Sequence, residues 1–163
     1  MKKYKLTEEI KDFYGITLYR IEALRDFRDV KAGDKGGFVQ SENNLSHDDD
    51  AWVCGNARVY GNARVHGDAR VYGNAEVYGD ARVCGNAEVC GDANIIQVGP
   101  IGSRDDYTTF FRNSDNEISV RCGCFYGTID EFEEAVQKTH SGTKYEKEYM
   151  AAIAVARAHI DGD

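Results

Sequence analysis

The chain is short of several things, and each shortage removes a class of protein. No apolar run approaches the roughly 18–20 residues that a bilayer-spanning helix needs, so neither a membrane span nor a membrane partner is expected. Basic residues are outnumbered by acidic ones, 20 to 28, for a net charge of −8, which argues against a nucleic-acid duplex as partner. The lysines of the opening "MKKYKLTEEIKDFYG" are followed by no apolar core, so a secretory leader is not expected either. The five cysteines, Cys54, Cys84, Cys90, Cys122 and Cys124, are an odd number. Without a leader they read as reduced thiols, and the expected location is the cytoplasm. A single proline beside 17 glycines is not the composition of a disordered chain.

What the sequence has in abundance is a six-residue echo. Seven hexads run from Val53 to Asn94, each opening on valine (Val53, Val59, Val65, Val71, Val77, Val83, Val89) with glycine third and alanine fifth. A period of six suits neither an α-helix nor a flat strand. It suits a parallel β-helix in which three hexads make one coil of 18 residues, with short strands as sides and Gly-Asn or Gly-Asp as corners. Along each "A-R-V-Y" strand the side chains alternate, so Ala and Val are expected inside, with Arg or Glu and the following Tyr, Cys or His outside.

The hexads resemble the left-handed β-helix of the bacterial hexapeptide-transferase class, and Val59 with Ala63 matches its aliphatic and small positions. The usual small residue after the aliphatic one is replaced here by Tyr, Cys or His. The lead-in "TLYRIEALRDFRDVKAGDKGGFVQSENNLSHDDDAWV" (17–53) is similar to that of bacterial and phage hexapeptide-repeat proteins usually labelled only as transferases. The stretch "YTTFFRNSDNEISVRCGCFYGTIDEFEEAV" (107–136) resembles a module that follows such repeats in phage-type proteins. The resemblance implies a mainly β fold: a short left-handed parallel β-helix of about three coils. It also implies assembly as a homotrimer and, for phage-type relatives, a place in the host cytoplasm.

Three parts are expected: an N-terminal cap over residues 1–46, the β-helix over 47–102, and a C-terminal α+β module over 103–163. "YTTFFR" and "ISVRCGCF" flank a polar loop and predict a β-hairpin. Capping boxes at Thr128–Glu131 and Thr143–Glu146 predict two helices after it. So short a solenoid has two raw ends, which is a physical reason for both flanking parts.

If residues 18 apart stack, the outward side chains sort onto three faces. Arg70–Glu88 and Arg58–Glu76 are opposite charges in adjacent rungs, which is favourable, whereas Arg64–Arg82 is not. That third face also carries His66 and Cys84. Arg64, His66 and Arg82, with Ser103 and Arg104 of the Gly-rich "GPIGSRDDY", are the expected ligand-binding residues, for an anionic ligand or an acidic partner segment. Tyr60, Tyr78 and Ile96 form an apolar outward column and are the expected oligomer interface.

No catalytic residue, metal or cofactor is expected. Cys122-Gly-Cys124 lacks a second cysteine pair at zinc-site spacing, and "DDD" (48–50) lacks the glycine and terminal glutamate of a calcium loop. Two functional classes follow. The first is a non-enzymatic binding protein that captures a nucleotide-like anion or a host protein, a reading that the phage-type resemblance extends to countering host defence. The second is a hexapeptide-class acyltransferase with His66 as base, against which stand the uninterrupted hexads and the lack of an acid to orient that histidine.

Overall fold

The structure is a computed structural model that describes residues 1–161, so the last two positions of the expected C-terminal module lie outside the described residues, as does the side chain of Ala93. The chain divides into two compact units, Met1–Asp92 and Ala93–Asp163.

The first unit opens with a hairpin, β1 (Tyr4–Phe13) and β2 (Ile16–Ala23), followed by β3 (Lys35–Val39). Seven two-residue strands succeed one another at six-residue steps: β4 (Trp52–Val53), β5 (Arg58–Val59), β6 (Arg64–Val65), β7 (Arg70–Val71), β8 (Glu76–Val77), β9 (Arg82–Val83) and β10 (Glu88–Val89). They stack in parallel with an 18-residue offset: Trp52 pairs with Arg70 and Arg70 with Glu88, Arg58 with Glu76, Arg64 with Arg82. Three sheets result, β4-β7-β10, β6-β9 and β1-β2-β3-β5-β8. The hexads therefore build a repeat β-solenoid. Its valines and the alanines before them are at most 2% exposed, as the alternation requires.

The corner glycines explain the period. Gly55, Gly61, Gly67, Gly73, Gly79 and Gly85 all hold φ between +60° and +73°, a region that L side chains rarely adopt. They also lie directly over one another, so that a Cβ on Gly67 would approach the Gly85 nitrogen to 2.9 Å.

Residues 1–49 do the work of a coil at the solenoid's first edge. β3 runs parallel to β5 as a further rung, and Leu45 bridges to Val65 on the third face. Asn44 Nδ2 donates to the Gly61 and Ala63 carbonyls, and the Gly61 and Gly67 amides donate to Gln40 Oε1 and Asp49 Oδ2. Lys3 has no exposed surface; its ammonium donates to the Asp49 and Ala51 carbonyls at 2.9 and 2.6 Å and lies 5.2 Å from the Phe27 ring centre. Polar backbone that would otherwise be a raw edge thus finds partners.

Two outward positions of the hexads are nonetheless buried. Trp52 is 2% exposed because Tyr4 and Phe27 close over it edge-on, at 6.4 and 5.3 Å. Cys84, expected outside on the third face, is 4% exposed.

The second unit contains β11 (Ile95–Ile101), β12 (Asp106–Arg112), β13 (Ile118–Cys122), β14 (Phe125–Thr128), α1 (Ile129–His140) and α2 (Lys144–Ile160). The expected hairpin is β12–β13, but it is the middle of a four-stranded antiparallel sheet, β11-β12-β13-β14. "IIQV" reads equally well as a further solenoid rung, which is why β11 was not expected. Thr128 and Glu131 form the capping box of α1. At α2, Thr143 accepts from the Glu146 amide, while the Glu146 carboxylate reaches one residue further back, to the Gly142 amide at 2.7 Å. Both helices pack on one side of the sheet, around Phe110, Val120, Phe132, Val136, Tyr149 and Ile153.

Candidate functional site

On the solenoid, three faces carry three different chemistries. The first is neutralised by the loop that precedes it. Arg70 and Glu88 are in register, yet the Arg70 guanidinium is taken by Asp29, which holds the Asp29 carboxyl below its usual range. Glu88 instead hydrogen-bonds the Tyr72 phenol. Arg28, Asp29, Cys54, Arg70, Tyr72 and Glu88 line a shallow basin of about 570 Å³. Burial pushes the Cys54 thiol up, so it stays protonated and unreactive at neutral pH.

The second face is aromatic. Tyr60 and Tyr78 stack at 5.4 Å with 10° between their planes, and Phe13 from the hairpin tip packs on Tyr60 at 5.6 Å. Arg58 is ion-paired to Glu76 and sits 4.3 Å from the Phe13 ring centre. Burial, then Glu76, push the Tyr60 phenol up to about 12. Tyr60 is half-buried and Tyr78 is 49% exposed. Ile96, the third member of the expected column, lies in β11, where it pairs with Phe110 and packs against the second unit's core. Phe13 has no place in the hexad pattern, and no signal in the repeat could have found it.

The third face holds Arg64 and Arg82 directly opposite each other in β6 and β9, both exposed, with His66 half-buried beside them. Arg58 and Arg70 have carboxylate partners, but Arg64 makes no ion pair among the described residues. At the corner before these arginines, Asn62 Nδ2 donates to Asp80 Oδ1 at 3.2 Å.

Ser103 and Arg104 belong to the second unit, in the turn between β11 and β12. There they line a cavity of about 350 Å³ with Cys122, Cys124, Phe125, Phe132, Val136, His140 and Tyr149. The Ser103 amide and hydroxyl donate to the Tyr149 phenol, whose pKa burial nonetheless holds above its ordinary value. The five residues grouped by sequence as ligand-binding therefore divide between the units, three in the first and two in the second. The aromatic members of the cavity were not expected, because its lining comes from segments spread over residues 101–149.

Among the described residues, no helix is long and apolar enough to cross a membrane, and no group of three or more His, Cys, Asp or Glu side chains is placed to hold a metal ion. No curated protein sequence matches the chain. Residues 51–67 and 69–85 match the family model of the YdcK β-solenoid repeat, and the chain is a repeat β-solenoid protein.

Proposed function

We propose that this is a non-enzymatic, oligomeric binding protein whose solenoid captures an anion, either a nucleotide-like ligand or an acidic segment of a host protein. The observation that carries the reading is the Arg64–Arg82 pair. Like charges in register on adjacent rungs destabilise each other unless an anion lies between them, and Arg64 makes no ion pair among the described residues. Two guanidiniums a rung apart match a phosphate or a carboxylate pair, and His66 beside them supplies a further donor. In this reading the solenoid is a left-handed prism of about three coils, three copies meet at the Tyr60–Tyr78 face, and the protein acts in the cytoplasm, in a phage-infected host as a counter to defence. The acyltransferase reading has less support, because the rungs follow one another without an inserted loop that could build a donor cleft.

The test is a calorimetric titration with pyrophosphate as probe. Replacing both arginines, Arg64→Gln with Arg82→Gln, should weaken binding about tenfold or more per lost charge-assisted contact, while leaving the melting temperature unchanged or slightly raised. Unchanged affinity together with a melting temperature many degrees lower would make the arginines structural and defeat the reading.

A further inference from the structure

The second unit's cavity was built by different residues from those of the solenoid face, and its chemistry is different. Its buried floor is Phe132, Val136 and Tyr149, with Phe125 beside them. The rings surround the space rather than fill it: Phe125 and Phe132 lie 5.1 Å apart at 50°, and Phe132 and Tyr149 lie 5.5 Å apart at 80°. The exposed rim is Ser103, Arg104, Asp106, Cys124 and Thr139.

The cavity is held open by the backbone. Gly102, at φ +78°, lets the Tyr149 ring come up beneath the 101–105 turn, where any Cβ would collide with it. The Gly102 amide donates to Glu148 at 2.6 Å, and Ser103 donates to the Tyr149 phenol, so α2 fixes the turn at two points. Arg104 lies across the β13–β14 turn at Gly123, where a side chain would approach its guanidinium to 3.1 Å. Arg104 makes no ion pair among the described residues. Fixed walls of this kind favour binding, because little ordering remains to be done when a ligand enters.

We infer that this cavity binds a compact aromatic monoanion, its ring against the wall of Phe125, Phe132 and Tyr149 and its charged group on Arg104. The volume lies at the low end for small-molecule sites, which suits one or two fused rings. The charge limit follows from the rim. Arg104 is followed directly by Asp105 and Asp106, and residues 101–163 carry 12 acidic against 7 basic side chains. One negative charge is satisfied there, whereas a di- or triphosphate meets like charges. The shared chemistry is a flat ring bearing one anionic group, whether an aromatic carboxylate or a monoanionic phosphodiester of a nucleobase.

The inference stands on the second unit alone and is tested on the full chain by calorimetry. The probes are indole-3-carboxylate, its neutral carboxamide, and cyclic adenosine monophosphate. The carboxylate should bind at least about tenfold more tightly than the carboxamide, the worth of a charge-assisted contact, and Arg104→Gln should erase that difference. Thr139→Trp, a change at the exposed rim that leaves the core alone, should block both. A stronger response to cyclic adenosine monophosphate than to the carboxylate identifies the phosphodiester as the source, and the reverse order identifies the carboxylate. Equal affinity for the carboxylate and the carboxamide, binding insensitive to Thr139→Trp, or no binding of either monoanion at about 1 mM overturns the inference. Arg64→Gln with Arg82→Gln should leave these affinities unchanged, so failure of the solenoid reading is distinguishable from failure of this one.

Discussion

Replacing Lys3 by methionine should change how the stability of the first unit depends on pH. The Lys3 side chain is wholly buried, and burial lowers its pKa from 10.5 to about 8, although Asp49 pulls the other way with its carboxylate 3.7 Å off. In the unfolded chain the same lysine titrates near its ordinary value. Between about pH 8 and 10.5 the unfolded state therefore holds one proton more than the folded state, and stability rises with pH at about 1.4 kcal/mol per unit. Over the whole window this comes to about 3 kcal/mol. Below pH 8 both states are protonated, the dependence is flat, and the cost of burying the charge is offset by the bonds to the Asp49 and Ala51 carbonyls. Trp52, the one tryptophan of the chain, lies under Tyr4 in this unit, so its fluorescence follows the relevant unfolding. Urea unfolding of both proteins from pH 7 to 10 isolates the effect, because tyrosine and cysteine titrations cancel in the difference. The wild-type stability minus that of Lys3→Met should rise by about 2–3 kcal/mol between pH 8 and 10. A difference that stays flat over that range would refute the account of the capped edge.

His47 stacks on Tyr4 at 4.1 Å, accepts from the Lys3 amide at 3.2 Å, and is held below its ordinary pKa by burial against the pull of Glu42. Stability should therefore fall as pH drops through about 6.5, where the unfolded chain takes up the proton first, and His47→Gln should flatten thermal melts between pH 7 and 5. Gly73→Ala places a Cβ 2.5 Å from the Cys90 carbonyl at φ +66° and should cost about 2 kcal/mol or more by urea unfolding. Gly15→Ala, at φ +83° with nothing within 4 Å, should cost only about 1 kcal/mol. Tyr78→Asp introduces a charge on the exposed ring of the second face and should dissociate a trimer to monomers in sedimentation. A wild-type protein that is already monomeric at micromolar concentration would remove that face as an interface.

The solenoid was legible because its constraint is local and repeated. Glycines with positive φ at six successive corners, Gly55 to Gly85, and the inward valines with the alanines before them, write the period directly into the sequence. The N-cap threonines of α1 and α2, Thr128 and Thr143, are equally local. What could not be read depends on what covers what. Trp52 and Cys84 occupy outward positions in the hexad and are buried all the same, Trp52 by Tyr4 and Phe27 from segments about 25–48 residues away. Asp29 displaces Glu88 as the partner of Arg70 because a loop, absent from the repeat, reaches that face first. The cavity was half legible: Ser103 and Arg104 stood out as polar groups in a Gly-rich turn, while Phe125 ends the "ISVRCGCF" segment and Phe132 and Tyr149 lie in the two helices, and only the fold brings them to that turn.

Native mass spectrometry of the protein purified from its own cells, wild type beside Arg64→Gln with Arg82→Gln, tests the central claim most directly. The wild type should appear as a closed oligomer retaining an anionic molecule or an acidic partner, and the double variant as the same oligomer without it. The same retained mass on both proteins, or no retained partner on the wild type, would contradict capture by the solenoid face.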